Sequence, residues 1–182
     1  MSATLQEGQV ILPNVRIGYP KIWKAEAIKS MADSRPRYGL QAYLPKGDTA
    51  TKAKLDAEIT RLSKEKLKGV KPKSRDLFIK DGDGEDGDES TAGHWIVSVN
   101  RQESQNRPQI IDRNRAPLAQ EDGRIYAGCR CNVLMAAYVP KGWAKIAASL
   151  EVVQFWADDE PFGAPRVDVD AVMPCEDDEF SV

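Results

Sequence analysis

Aromatic rings and cations occur side by side in the segments of this chain where apolar and polar residues alternate. Rings can stack on bases and cations can bind phosphates, so this combination suits single-stranded nucleic acid. The candidate contact residues are Lys21, Trp23, Lys24, Arg37, Tyr43, Lys46, Tyr126, Arg130, Tyr138, Lys141, Trp143 and Lys145. Any one of these rings is equally compatible with peripheral packing, and only the joint pattern favours binding. On this hypothesis Tyr43→Ala or Trp143→Ala weakens binding without unfolding the protein.

Catalytic residue patterns are missing from the sequence. His94 is the only histidine, and no nucleophile motif of the Gly-x-Ser-x-Gly type or phosphate loop of the Walker type occurs. The glycines at 82, 84 and 87 lie among acids, which repel phosphate. We therefore expect a protein that is not an enzyme.

Metal ligands are also poorly arranged. Asp81, Asp83 and Glu85 have the alternate spacing of a calcium loop, but Asp86 replaces its glycine and Ala92 its bidentate glutamate. A nuclease would need these carboxylates held rigidly, which a glycine-interrupted loop does not do. Cys129 and Cys131 have one residue between them rather than two, and both fall at apolar positions of a strand pattern. The sequence predicts an exposed, mobile loop over 81–90, no metal and no cofactor.

Apolar and polar residues alternate with a period of two in the segments that must position these candidate residues. It predicts strands at 9–19, 37–44, 93–100, 108–112, 125–139 and 143–156. Pro13 marks an irregularity in the first strand and Pro20 its end. The last two strands form a hairpin around Pro140-Lys141-Gly142, with every odd position of 125–139 apolar and Ile146, Ala148, Leu150 and Val152 on one face.

One helix is predicted to begin at Asp48 or Thr49 and to end before Gly69, with an apolar stripe of Leu55, Ile59 and Leu62. Five or more strands with one prominent helix indicate a mainly β fold, a small barrel of the OB type.

Charge is distributed unevenly along the chain. Residues 1–80 carry 17 Lys/Arg against 8 Asp/Glu, whereas residues 151–182 carry 1 against 10. This asymmetry predicts a polyanion-binding domain over 1–165 and a disordered acidic tail over 166–182. The tail residues Glu176, Asp177, Asp178, Glu179 and Phe180 suit occupation of a cationic groove when DNA is absent, or docking on a protein partner. A solubilising terminus is the alternative.

The start of the chain is polar, and no stretch approaches the roughly 20 apolar residues that a membrane helix needs. We therefore expect a cytoplasmic protein with reduced thiols and no membrane partner.

Several stretches together resemble a family of phage single-stranded DNA-binding proteins with an OB-fold. They are Val15–Trp23, Arg37–Lys46, the acidic loop leading to Ala92–Trp95, Ile125–Cys129 and Val152–Gln154. The resemblance implies a protein that coats single-stranded DNA without sequence preference during phage replication or recombination in the host cytoplasm. It also implies an acidic tail that recruits replication or recombination proteins. Ser181 and Val182 follow Phe180, where related tails often stop, which departs from the pattern.

Two alternatives remain open at the level of sequence. The chain could be a β-barrel adaptor that binds proteins and not nucleic acid, although an adaptor has no need of the basic 1–80 block. Stacking and phosphate contacts also serve RNA, and duplex DNA stays a candidate partner. A homo-oligomer is compatible with the sequence as well.

Overall fold

The strands of this protein close into a barrel in the computed structural model, which describes residues 4–163, 167 and 169–174. The strands in that part of the chain are β1 (Gln9–Glu26), β2 (Arg37–Pro45), β3 (Ile79–Asp81), β4 (His94–Gln102), β5 (Gln109–Ile111), β6 (Arg130–Tyr138) and β7 (Ala147–Ala157). Helix α1 spans Thr49–Lys66, and the short α2 spans Val169–Val172. None of the helices in the described ranges is long and apolar enough to cross a membrane.

Barrel closure depends on one parallel contact. The strand order is β3-β4-β2-β1-β6-β7-β5, and β4 also pairs with β7 where Asn100 lies opposite Ser149. Strands β1, β2, β4, β7 and β6 thereby form a closed ring, and β3 and β5 are short additions to it. This confirms the predicted mainly β fold with a barrel and one prominent helix.

The core follows the predicted alternation. Leu40, Ala42 and Leu44 of β2 are buried, as are all odd positions from Cys129 to Ala137. Helix α1 packs against β1 and β6 with Leu55, Ile59 and Leu62 buried. Asp48 caps this helix, because its carboxylate accepts a hydrogen bond from the Thr51 backbone N–H at 3.0 Å.

Strand β1 differs from the prediction at its end. It continues through Pro20 to Glu26 and does not stop at the proline. Its pairing register with β2 shifts between Gly18 and Lys21, and Tyr19 there has a φ of 49°. Proline is tolerated in this irregularity because the ladder needs no N–H at that point. The predicted irregularity at Pro13 is confirmed by a register shift between Leu12 and Val15.

The hairpin of β6 and β7 is shorter than predicted, and one of its side chains faces the other way. The strands begin at Arg130 and Ala147, and the connecting loop spans 139–146. Ile146, Ala148 and Leu150 are buried as expected, but the register shifts between Leu134 and Met135. This bulge reverses the alternation, so that Val153 is buried in place of Val152.

The acidic loop over 81–90, which the sequence predicts to be exposed and mobile, is held against the barrel by side-chain contacts. Lys46 Nζ lies 2.6 Å from a carboxylate oxygen of Asp81 and 2.6 Å from one of Asp83. The Lys46 hydrogen bond lowers the pKa of both carboxyls. Thr91 Oγ1 also donates to the Gly82 carbonyl at 2.9 Å. The described residues include no cluster of three or more side chains able to hold a metal ion.

Candidate nucleic-acid interface

A groove crosses the outer face of β2 and β4 between two loops. It consists of three adjoining cavities of about 350, 230 and 380 Å³, and all three include Arg37 and Asn100. Loop 27–36, which joins β1 to β2, forms one wall, and loop 139–146 of the β6–β7 hairpin forms another. We call it the basic groove, and the residues used below are Tyr19, Lys21, Arg35, Arg37, Gly39, Gln41, Ser98, Asn100, Tyr138, Trp143 and Lys145.

The floor of the basic groove is built from small and polar residues. Gly39 pairs with Asn100, and Gln41 pairs with Ser98, across β2 and β4. A Cβ atom at position 39 would lie 2.5 Å from Asn100 Oδ1, so the Asn100 side chain packs directly over this glycine. The floor therefore offers amide and hydroxyl groups and no large apolar side chain at these two pairs.

Three of the cations that line this groove have no carboxylate partner among the described residues. Within the described chain, Arg35, Arg37 and Lys145 form no ion pair, whereas Lys21 lies 3.3 Å from Glu26. Arg101 also reaches this region, but its Nη1 lies 3.2 Å from Glu151, which neutralises it. Three positive charges are thus available to an anionic ligand.

Exposed rings occur in the two cavities that meet at Arg37. Trp143 is 65% exposed and Tyr138 is 42% exposed in the cavity beside loop 139–146. Tyr19 is 68% exposed in the cavity beside β1, where the irregularity at Pro20 turns it outward. Lys145 Nζ lies 5.1 Å from the centre of the Trp143 ring. Exposed rings and cations therefore lie together here, which is the combination that binds single strands.

Five of the residues predicted from the sequence line the basic groove: Lys21, Arg37, Tyr138, Trp143 and Lys145. Lys141 is exposed on loop 139–146 between lining residues, and Lys24 is exposed near the end of β1. Tyr19, Arg35 and Asn100 line the groove but were not predicted. The Tyr-Pro-Lys run at 19–21 is a signal for a bulge that exposes Tyr19, whereas the irregular connection holding Arg35 has no pattern that could have identified it.

A second group of predicted residues lies elsewhere, under the segment that follows β7. Tyr43 is only 4% exposed, and its ring packs edge-on against Phe162 with centroids 5.5 Å apart. Burial raises the pKa of Tyr43 to about 12. The Tyr126 hydroxyl donates to Asp158 at 3.0 Å, and Arg130 Nε lies 2.7 Å from Asp159. The Glu160 backbone N–H and then Arg130 hold the Asp159 pKa below its usual value.

These positions divide the predicted contact residues into two separate groups. Arg130 and Tyr138 do share the outward face of β6, but they lie eight residues apart at its two ends. At roughly 3.3 Å per residue, about 26 Å separates them. Tyr138 therefore belongs to the basic groove, and Arg130 belongs to the group covered by 158–162.

The remaining predicted residues lie outside the basic groove. Trp23 is half-buried, packs against the core and has Arg107 5.5 Å from its ring centre. Lys46 is held by Asp81 and Asp83 and lies 4.9 Å from the ring centre of Trp95. The predicted tail residues Glu176, Asp177, Asp178, Glu179 and Phe180 lie outside the described part of the chain.

Comparison with known proteins finds similar proteins of bacteriophages. The family model described as Enterobacter phage Enc34, ssDNA-binding protein, matches residues 8–180. Protein p50 of Acyrthosiphon pisum secondary endosymbiont phage 1 is 27% identical over 164 residues, which is 85% of this chain and 86% of p50.

Solved structures agree with the family model. The single-stranded DNA-binding protein of bacteriophage Enc34, in complex with ssDNA, superposes with a TM-score of 0.73 at 27% identity, covering 86% of this chain and 90% of that one. The bacteriophage T7 single-stranded DNA-binding protein gp2.5 shares the fold, with a TM-score of 0.55 at 13% identity over 89% of this chain and 98% of its own. The family match spans nearly the whole sequence, so this chain belongs to the family of the Enterobacter phage Enc34 ssDNA-binding protein.

Proposed function

We propose that this protein binds single-stranded DNA along the basic groove without sequence preference. The observation that supports this best is the position of the groove on β2, β4 and the loops 27–36 and 139–146. These are the second and third strands of the barrel with its first and last hairpin loops, the surface on which OB-folds bind oligonucleotides. The Enc34 relative, which superposes with a TM-score of 0.73, is itself in complex with ssDNA.

The side chains in the groove suit a backbone-and-stacking mode of binding. Arg35, Arg37 and Lys145 are positioned to neutralise phosphates, and Trp143, Tyr138 and Tyr19 offer faces to successive bases. Stacking tolerates every base, because every base has a π-face. A site of this kind has affinity for any single strand that fits, which is what a coating protein needs.

The biological setting of this binding is part of the same proposal. We infer that the protein coats single-stranded DNA during phage replication or recombination. The acidic residues Glu176–Glu179 and the ring of Phe180 then recruit replication or recombination proteins and compete with DNA for the groove. Family membership and the charge asymmetry of the chain support both inferences.

The direct test is a titration of labelled oligo-dT followed by fluorescence anisotropy. We expect Trp143→Ala to weaken binding by about 1–3 kcal/mol, the contribution of one stacked base. Thermal unfolding should not change, because the ring is mostly exposed. Ile11→Ala, at a 44% exposed position outside the groove, is the control for loss of an exposed apolar side chain.

Salt dependence tests the phosphate contacts separately. Arg37→Gln should make the slope of log K against log salt shallower by about 0.7, the value for one phosphate contact on a single strand. Lys54→Gln removes the same charge from an exposed position of α1 and should leave the slope unchanged. Equal slopes for parent and Arg37→Gln would contradict the groove assignment. No binding by the parent at either of two salt concentrations would favour the protein-binding adaptor.

A further inference from the structure

The segment that follows β7, residues 158–162, crosses the outer surface of the barrel next to the basic groove. It contains three acids and a ring: Asp158, Asp159, Glu160 and Phe162. We call it the covering segment. Its contacts with β1, β2 and β6 resemble those that a nucleotide would make.

One carboxylate of the covering segment, that of Asp159, lies close to two arginines. Asp159 Oδ2 is 2.7 Å from Arg130 Nε and 3.5 Å from Arg16 Nε. Arg16 also donates hydrogen bonds to the carbonyls of Glu160 and Gly128. Two guanidinium groups on one anionic oxygen are an arrangement suited to a phosphate.

The ring of the covering segment contacts a guanidinium group and a second aromatic ring. Arg16 Cζ lies 4.1 Å from the centre of the Phe162 ring, and Tyr43 meets the same ring edge-on. The Phe162 backbone N–H donates to the Ala127 carbonyl at 3.0 Å, and the Tyr126 hydroxyl bonds to Asp158. Guanidinium and aromatic faces are also the usual partners of an unstacked base.

This covered surface is continuous with the basic groove. Arg16 pairs with Tyr43 across β1 and β2, and Gly18 pairs with Gln41 immediately beside them. Gln41 lines the groove and accepts a hydrogen bond from the Tyr43 hydroxyl at 3.0 Å. The covering segment therefore lies directly beyond the end of the groove on the β1 side.

The ion pairs that hold the covering segment are accessible to solvent. Side-chain exposure is 25% for Arg16, 36% for Arg130 and 28% for Asp159. Ion pairs of this kind are weak and screened by salt, so a phosphate can replace the carboxylate.

We propose that the covering segment occupies a further nucleotide-binding subsite, formed by Arg16, Arg130, Tyr43 and Tyr126, which extends the basic groove. A single strand long enough to run past Gln41 displaces the segment. It then places a phosphate on the two arginines and a base against Arg16 and Tyr43. This inference rests on the proposed function, because the strand must first bind in the groove.

The test uses the full chain and a series of oligo-dT lengths. The double variant Asp159→Asn/Phe162→Ala weakens the covering segment without altering the subsite. We expect it to bind long oligo-dT about five-fold or more tightly than the parent, the equivalent of one additional stacked base. Oligonucleotides too short to reach past the groove should bind both proteins equally. The control is Glu121→Gln, which removes one negative charge, as Asp159→Asn does, from an exposed position outside both sites.

A second pair of substitutions changes the subsite itself and leaves the sequence of the covering segment unchanged. Arg16→Gln/Arg130→Gln should weaken binding of long oligo-dT and leave short oligo-dT unaffected. With iodouracil in the DNA, photocross-links should appear at Tyr43 or Tyr126 only for long strands. Equal affinity of the parent and both double variants at every length, measured below the unfolding transition of each protein, would overturn the subsite while leaving groove binding intact. Absence of binding by the parent itself would overturn the proposed function as well.

Discussion

The Tyr43 side chain illustrates how a residue can have the predicted orientation and a different environment. It lies on the outer face of β2, opposite Leu40, Ala42 and Leu44, as alternation predicts. Phe162 and the closely packed Gly18 nevertheless cover it, and a Cβ at position 18 would lie 2.2 Å from its hydroxyl oxygen. Its ring is therefore part of the packing of the free protein.

We predict that Tyr43→Ala destabilises the protein, in contrast to the expectation from sequence alone. Loss of a large buried ring typically lowers the free energy of unfolding by about 3–5 kcal/mol. Chemical denaturation measures this change, and Trp143→Ala, at a 65% exposed ring, is the matched control that should lose almost none. Equal stability of the two variants would show that the Tyr43 ring is not held in the packing.

At the scale of the element, helix α1 stabilises the barrel without contributing to the basic groove. It packs its apolar stripe on β1 and β6, and none of its residues lines the groove cavities. Its first turn depends on Asp48, which accepts hydrogen bonds from both the backbone N–H and the hydroxyl of Thr51. Stability and DNA affinity should therefore be separable here.

We predict that Asp48→Ala lowers the free energy of unfolding by about 0.5–2 kcal/mol, the usual contribution of an N-cap side chain. Affinity for oligo-dT should not change once the protein is folded. Urea denaturation and anisotropy on the same sample measure the two quantities. Lys54→Ala, at an exposed position within the same helix, should leave stability nearly unaltered. A loss of affinity in Asp48→Ala below its unfolding transition would link α1 to the binding site.

The whole molecule has an uneven distribution of charge along its chain. The basic groove lies in the barrel, and the four carboxylates of Glu176–Glu179 lie close to the C-terminus. If the tail competes with DNA for the groove, its effect should depend on salt as any exposed charge interaction does.

Truncation after Pro174 is predicted to tighten oligo-dT binding several-fold at low salt and by less at high salt. Anisotropy titrations of the full chain and the truncated chain, at two salt concentrations, measure this difference. A truncated chain that carries Lys54→Gln should show the same gain, because that lysine lies outside the groove. Identical affinities of full and truncated chains at low salt would exclude tail competition and leave partner recruitment as the role proposed for the tail.

The sequence determined the elements of this fold with good accuracy, because their side-chain periods are local. Alternation identified the inward positions from Cys129 to Ala137, and helical spacing identified Leu55, Ile59 and Leu62. It failed where the backbone departs from regular geometry. Strand β1 continues past Pro20, and because of the bulge near Leu150 the buried side chain is that of Val153 and not that of Val152. Such irregularities depend on the partner strand, which local pattern does not contain.

The site was determined only in part by the sequence. Residue type and parity pointed to Arg37, Tyr138, Trp143 and Lys145, but they could not group them. Pairing of β4 with β7 closes the barrel and brings loop 139–146 to loop 27–36 across Arg37. After β7 the chain returns over the outer surface of the barrel. Phe162 covers Tyr43, which lies over a hundred positions earlier, and Asp159 pairs with Arg130, about thirty positions earlier. Which rings stay exposed is thus decided by long-range contacts, and only the tertiary structure contains them.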